Sequence, residues 1–272
     1  MEYISLTLKV GTSEEEAVTR LHEFGAEVLF TSYNEITDVL EIAILYSGDI
    51  EELHRENPFI DLIGYKIYED VDWNEQWELH CEGYEKGLVE FDLNKYTDQD
   101  CSVTVKMQPG PGFGDLSHPT TRLVLQMMGK YVYGRSVLDI GCGSGVLTLS
   151  ALALGANSVI GIDIDERAIA HASENLKLNH FSKKSLFGTV DTLGSSILEQ
   201  GECLILMNMI RSEQQVAWDS VKEYLDFNYE VFTSGVQSTE REEYLEQVDT
   251  WGWILLDEVE EDGWLGFRFT RR

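Results

Sequence analysis

Three glycines at alternate positions, Gly141, Gly143 and Gly145, separate two apolar runs in VLDIGCGSGVLTLSALALGA (137–156). Glycines let a turn pass close to a ligand, and the helix start that follows offers unbonded N–H groups. The spacing is G-x-G-x-G: Val146 stands short of the third glycine of the dinucleotide pattern, and no lysine follows as in a phosphate-binding P-loop. Asp139, two residues before the loop, would repel a pyrophosphate and tolerate an ammonium or a water network. Twenty-two residues past Gly141, IGIDID (160–165) carries Asp163 at a second strand end. There its two oxygens can accept both hydroxyls of an adenosine ribose. Two carboxylates without a dedicated phosphate cradle fit S-adenosylmethionine better than a dinucleotide. A third apolar run, CLILMNMI (203–210), ends on Asn208, whose amide offers a donor and an acceptor to the same edge. An asparagine at a strand end is also a common turn former.

Upstream, QPGPGFGDLSHPTT (108–121) holds three of the chain's four prolines within eleven residues, with three glycines. Such a density of φ-restricted and φ-permissive residues marks a shaped loop. Phe113, Asp115, His118, Thr120 and Thr121 make it either a ligand wall or a rigid connector.

The elements that must position these residues follow from periodicity. From 136 onward SVLDI, SVIGIDID, KSLFGTV, CLILMN and YEVFTSGV read as strands. Helical stretches lie at 145–156, at 166–180 and near 212–226 and 238–250. The alternation predicts an open α/β sheet, mostly parallel and covered on both faces. WILLDEVE and WLGFRFTRR, joined by a short turn, should pair as a hairpin and bring one antiparallel strand. The first seventy residues read strand-helix-strand-strand-helix-strand, a ferredoxin-like α+β unit, with Ile4, Leu6, Leu8 and Val10 alternating in the first strand and Ser13 capping the first helix. Between them DWNEQWELHCEG (72–83) reads as a short helix with Trp73 and Trp77 on one face, then KGLVEFDLN and CSVTVKMQP as strands. The expected divisions are a small domain over 1–69, a linker over 70–106 and a Rossmann-like domain over 107–272.

Forty-nine acids against twenty bases leave a net charge of −29. That field disfavours nucleic acid and anionic membrane and steers a basic protein toward the chain. The acids at 14–16 and near 49–53 serve equally as contact surface or solvated helix face. Cys81, Cys101, Cys142 and Cys203 lie far apart with no C-x-x-C, so zinc and dithiol chemistry lose their usual signatures and no metal is expected. No apolar run approaches membrane-spanning length. A soluble, reducing, cytoplasmic setting is the expectation.

The loop 108–121, the segment 137–156, IGIDIDERAIAHASEN, Asn208 and FTSGVQSTEREEYLEQ together resemble the PrmA family of bacterial ribosomal protein methyltransferases, over about residues 70–272. Family members act on the eleventh protein of the large ribosomal subunit, methylating lysine side chains and an N-terminal amine. The resemblance implies a class I methyltransferase sheet and S-adenosylmethionine held by Thr121, Gly141, Asp163 and Asn208. It also implies substrate recognition by the leading domain. The loop composition adds Asp139, Gly143 and Gly145 to the cofactor set. Asn208 is expected to orient the amine, with His118 as a competing base. Several positions depart from the family: Asp115 and Leu116 replace a Thr-Gly pair, Met209-Ile210-Arg211 follows the asparagine with no proline after it, and LDFNYE replaces a Gly-Gly turn. These changes are confined to loops and bear on substrate more than on fold. Two rival readings are a nicotinamide-dependent oxidoreductase and a nucleotide-fold binding protein without turnover.

Overall fold

The structure, a computed structural model, describes residues 2–9, 13–34, 39–67, 73–81, 83–96, 104–181, 184–198 and 203–272. Val10 and Cys101 lie outside the described residues. The chain divides into two units, Met1–Asp72 and Trp73–Arg272.

In the first unit, period-2 apolar runs form β1 (Glu2–Leu8), β2 (Glu27–Asn34), β3 (Val39–Leu45) and β4 (Ile60–Ile67). The helices are α1 (Glu14–Glu23) and α2 (Ile50–Glu56). All pairings are antiparallel, in the order β2-β3-β1-β4 that the ferredoxin-like pattern requires. Ile4, Leu6, Ile42 and Ile44 meet Ala17 and Leu21 of α1 and Leu53 of α2 in one core. The Asp49 carboxylate caps α2, accepting from Glu51 N at 2.9 Å, and at the start of α1 the Ser13 carbonyl accepts the helical backbone bond from Ala17 N at 3.0 Å.

The second unit opens with α3 (Trp73–His80) and a three-stranded antiparallel sheet of β5 (Tyr84–Glu85), β6 (Leu88–Asp92) and β7 (Thr104–Met107). Here the structure departs from expectation. The stretch read as a linker is built into the second unit from Trp73 onward. Trp77, Val89, Phe91, Val105 and Met107 share a core with Val137, Leu204 and Phe232 of the large sheet.

That sheet holds β8 (Ser136–Ile140), β9 (Ser158–Ile162), β10 (Lys184–Gly188), β11 (Cys203–Asn208), β12 (Tyr229–Gln237), β13 (Trp253–Glu261) and β14 (Trp264–Arg271). Its order is β10-β9-β8-β11-β12-β14-β13. β14 runs antiparallel between β12 and β13, as the terminal hairpin predicts. The helices are α4 (Pro119–Met128), α5 (Val146–Ala153), α6 (Glu166–Leu178), α7 (Val190–Leu198), α8 (Arg211–Val221) and α9 (Arg241–Thr250). Alternation along β11 feeds two cores: Leu204 and Leu206 join one cluster, Cys203, Ile205 and Met207 the other. Each such buried aliphatic side chain contributes roughly 1.5–3 kcal/mol. Register is what aligns the strand ends.

Candidate active site

Ile140 of β8 lies level with Ile162 of β9 and with Met207 of β11. The next residue of each strand is Gly141, Asp163 and Asn208, so these three leave the sheet side by side at its carboxyl edge. Ligands of open α/β sheets bind at this edge. Thr121 reaches it from α4, whose start is built by His118 and Pro119. Pro119 pre-sets the first turn, and His118 Nδ1 lies 2.8 Å from Thr120 Oγ1 and accepts from Thr120 N at 3.4 Å. Asn208 Nδ2 donates to Thr121 Oγ1 at 3.2 Å. Asn208 Oδ1 is buried and has no hydrogen-bond partner among the described residues. A buried acceptor left unpaired costs about 1–3 kcal/mol, and it fits a donor N–H arriving with a ligand.

Gly141 adopts φ +72°, and a Cβ there would run into Met209 Cε. At Gly143 a Cβ would meet the Phe113 carbonyl. The two glycine-rich loops therefore interlock through backbone, with Ser144 N donating to Phe113 O at 2.8 Å. The amides of the loop itself are committed. Gly141 N and Cys142 N donate to Ile162 O at 2.8 and 3.0 Å, Gly143 N to Asp163 Oδ2 at 2.9 Å, and Gly145 N to Cys142 O at 2.8 Å. The loop gives a pyrophosphate no N–H from 141 to 145. Gly145 serves as the N-cap of α5, one step inside the fold.

Asp139 also differs from its expected place against the ligand. It is only 1% exposed, and Oδ2 accepts from Thr148 Oγ1 at 2.6 Å. Burial pushes its pKa up to about 7, the Thr148 bond opposing and the Asp163 charge adding to the rise. Asp163 is half-buried at the edge; Oδ2 holds Gly143 N, and Oδ1 accepts from Asp165 N at 3.0 Å. Each oxygen keeps a further lone pair for a ligand hydroxyl.

Three features went unread in the sequence. α4 announces itself by the His-Pro pair and by Leu123, Val124, Met127 and Met128 at helical spacing, all buried. α7 was passed over between two strands. A ladder of polar side chains at 171, 175 and 179 on one face of α6 pins the upstream loop. His171 Nδ1 accepts from Gly112 N at 3.1 Å, so Nε2 carries the proton and donates to Gln108 O at 2.8 Å. Asn175 Oδ1 accepts from Gln108 N at 2.9 Å, and Asn179 Oδ1 from Lys106 N at 2.8 Å. Burial holds the His171 pKa below its usual value, against the Gln108 bond. The sequence signal is three polar residues four apart, with Ala172 between the first two.

The family departures resolve locally. The Asp115 carboxylate accepts from Ser117 N at 2.9 Å, and Leu116 takes φ +66° where a glycine would be at ease. His118 is packed edge-on to Trp264 with ring centres 5.1 Å apart, and burial, then Arg122, lowers its pKa. Its Nδ1 is engaged with the start of α4, which leaves it poorly placed as a base. A recess of about 410 Å³ opens behind the Asp115–Ser117 turn, lined by Phe91, Tyr96 and Arg122. It shares no lining residue with the Gly141–Asp163–Asn208 edge. No helix among the described residues is long and apolar enough to cross a membrane.

The chain is similar to known proteins along most of its length. Residues 4–272 match the family model for ribosomal protein L11 methyltransferase (PrmA). A protein of that name from Dictyoglomus thermophilum is 30% identical over 241 residues, covering 87% of this chain and 79% of the relative. Its namesake from Thermotoga maritima is 26% identical over 277 residues, covering 97% of each. In fold, the chain is similar to the crystal structure of ribosomal protein L11 methylase from Lactobacillus delbrueckii subsp. bulgaricus, with a TM-score of 0.55 at 23% identity over 67% of this chain and 98% of that one.

Proposed function

The chain belongs to the ribosomal protein L11 methyltransferase family, and on that premise we propose that it transfers methyl groups from S-adenosylmethionine to amino groups of ribosomal protein L11, lysine side chains and the N-terminal amine included. One observation carries the chemical reading: Gly141, Asp163 and Asn208 end three neighbouring strands at one level, with Asn208 Oδ1 buried and unpaired among the described residues.

The donor, when bound, supplies a methyl group on a positively charged sulfur. Gly141 leaves room at the first turn of the loop. The spare lone pairs of Asp163 suit the ribose hydroxyls. Thr121 fixes the Asn208 amide by accepting from Nδ2, which leaves Oδ1 to accept from an amine N–H and orient its lone pair. The catalytic contribution of these residues is alignment of the reacting atoms and exclusion of water. A lysine amine has a reference pKa of about 10.4 and must lose a proton before it attacks. Desolvation in the crevice favours the neutral amine. Asp115 is occupied with Ser117, and His118 with α4, so the proton is passed to solvent.

Residues 1–69 are assigned to docking of the protein substrate, and the −29 charge to speeding its encounter if it is basic. Cytoplasmic action without direct nucleic-acid or membrane binding follows from the same assignment. Val146 in place of a third glycine, and Asp139 before the loop, argue against a pyridine dinucleotide. Incubation with radiolabelled S-adenosylmethionine and purified ribosomal protein L11 tests the proposal, with label expected on the protein. Donor binding without label transfer would leave only the binding-protein reading.

A further inference from the structure

Three aromatic side chains stand in a row beside the crevice. Phe113 belongs to the loop that clasps the glycine turn: its carbonyl accepts from Ser144 N at 2.8 Å. A Cβ on the next residue, Gly114, would come within 4.0 Å of Thr121 Oγ1, the atom that fixes the Asn208 amide. His118, at the start of α4, packs edge-on between two rings, with centres 5.9 Å from Phe113 and 5.1 Å from Trp264. Register brings Trp264 to the same edge of the sheet. Asn208 is level with Ser234 of β12, and three residues further on Gln237 pairs with Trp264 at the start of β14. The row therefore runs from the glycine loop, past the first turn of α4, to a point two strands from Asn208.

Phe113 is 59% exposed, and Trp264 is partly exposed. Among the described residues no arginine or lysine stacks on either ring. Arg122, one turn after His118, is committed to Glu261 and to the Leu116 and Ser117 carbonyls. Aromatic faces carry partial negative charge and attract a cation, the more so when it is poorly hydrated, as alkylated ammonium groups are. Burial holds the His118 pKa below its usual 6.5, so at neutral pH the middle ring has no charge of its own to repel one.

We propose that Phe113, His118 and Trp264 form an aromatic rim that receives the amine-bearing side chain of the protein substrate as a cation and directs it toward Asn208. The ammonium rests against the rings before it gives up its proton, and the alkylated ammonium left by the transfer meets them again on leaving. The inference rests on the methyl-transfer reading of the site and adds to it side chains that hold the substrate rather than the donor.

The test is an NMR titration of the full-length protein, saturated with S-adenosylhomocysteine, using two probes. One is N-acetyl-Nε,Nε,Nε-trimethyllysine methylamide; the other is its neutral isostere, with a tert-butyl group in place of the trimethylammonium. That cation has no N–H to donate, so its preference over the isostere reports only the rings and the overall field. Wild type is expected to bind the cation about fivefold more tightly than the isostere. Phe113→Leu and Trp264→Leu leave the −29 charge unaltered and keep an apolar side chain. Each should cut the preference by about threefold, while affinity for the isostere changes by less than about twofold. Trp264→Phe, which keeps a ring, should retain most of the preference. If Trp264→Leu does not fold, Phe113→Leu, at its exposed position, decides alone. A preference unchanged in Phe113→Leu, equal weakening of both probes, or a wild type that binds the two equally would overturn the inference. The donor assignment fails separately, if wild type binds neither S-adenosylmethionine nor S-adenosylhomocysteine in calorimetry.

Discussion

Asp139→Asn is expected to make the protein more resistant to unfolding as pH rises, although it alters a residue of the loop motif. The wild-type carboxyl is fully buried, and its pKa moves from an ordinary 3.8 to about 7. A carboxyl raised in the folded state contributes stability below the unfolded pKa and loses it as pH climbs through the folded one. The interval between 3.8 and about 7 corresponds to about 4 kcal/mol at 1.36 kcal/mol per pH unit. The asparagine keeps an acceptor for Thr148 and brings an NH2 group that costs about 1–3 kcal/mol if unpaired. That cost is independent of pH, so the slope isolates the charge. Between pH of about 5 and 8 the variant should gain about 3 kcal/mol on the wild type, a urea midpoint shift on the order of 1 M. Urea titrations at several pH values, followed by tryptophan fluorescence, measure it. A difference that does not grow with pH would refute the buried-charge account. The same reasoning gives function a stake. A bound sulfonium favours the ionised carboxylate, so donor binding near neutral pH should release protons from the wild type and fewer from the variant.

Asp163→Ala should weaken S-adenosylmethionine by about 1.5–3 kcal/mol, the worth of a charge-assisted hydrogen bond; unaltered affinity in calorimetry would remove the ribose assignment. His171→Ala strips partners from Gly112 N and Gln108 O and should cost about 2–4 kcal/mol in urea unfolding at a pH of about 8. Because burial lowers the His171 pKa, the unfolded chain takes up the proton first as pH falls below 6.5, so wild-type stability drops there and the alanine variant should lose that component. Gly141→Ala should destabilise by about 1–2 kcal/mol from its left-handed backbone alone, plus the collision with Met209. Adding Met209→Ala should recover the collision and not the strain, which a double-mutant cycle reads directly.

What could be read from sequence was what local chemistry decides. The strands 136–140 and 203–208, the terminal hairpin and the six-element order of the first unit all follow from apolar periodicity and turn residues. Asp163 and Asn208 could be placed at one edge because strand ends and a parallel sheet leave them nowhere else. What escaped depends on distant partners. β5 is two residues long and means nothing until β6 pairs with it. Gly141 N and Cys142 N look open in sequence because their acceptor, Ile162 O, belongs to another strand. Asp139 reads as a ligand contact until Thr148, one helix later, is seen to hold it. The polar ladder of α6 has a helical spacing, but its purpose appears only when residues 106–112 lie across it.

The committed amides from 141 to 145 have a thermodynamic consequence. A loop that waits for its guest must surrender chain entropy when the guest arrives, whereas this one has surrendered it during folding. The donor would dock onto finished scaffolding, and its affinity would be set by charge and by released water, with little rearrangement of the protein to pace its arrival or departure.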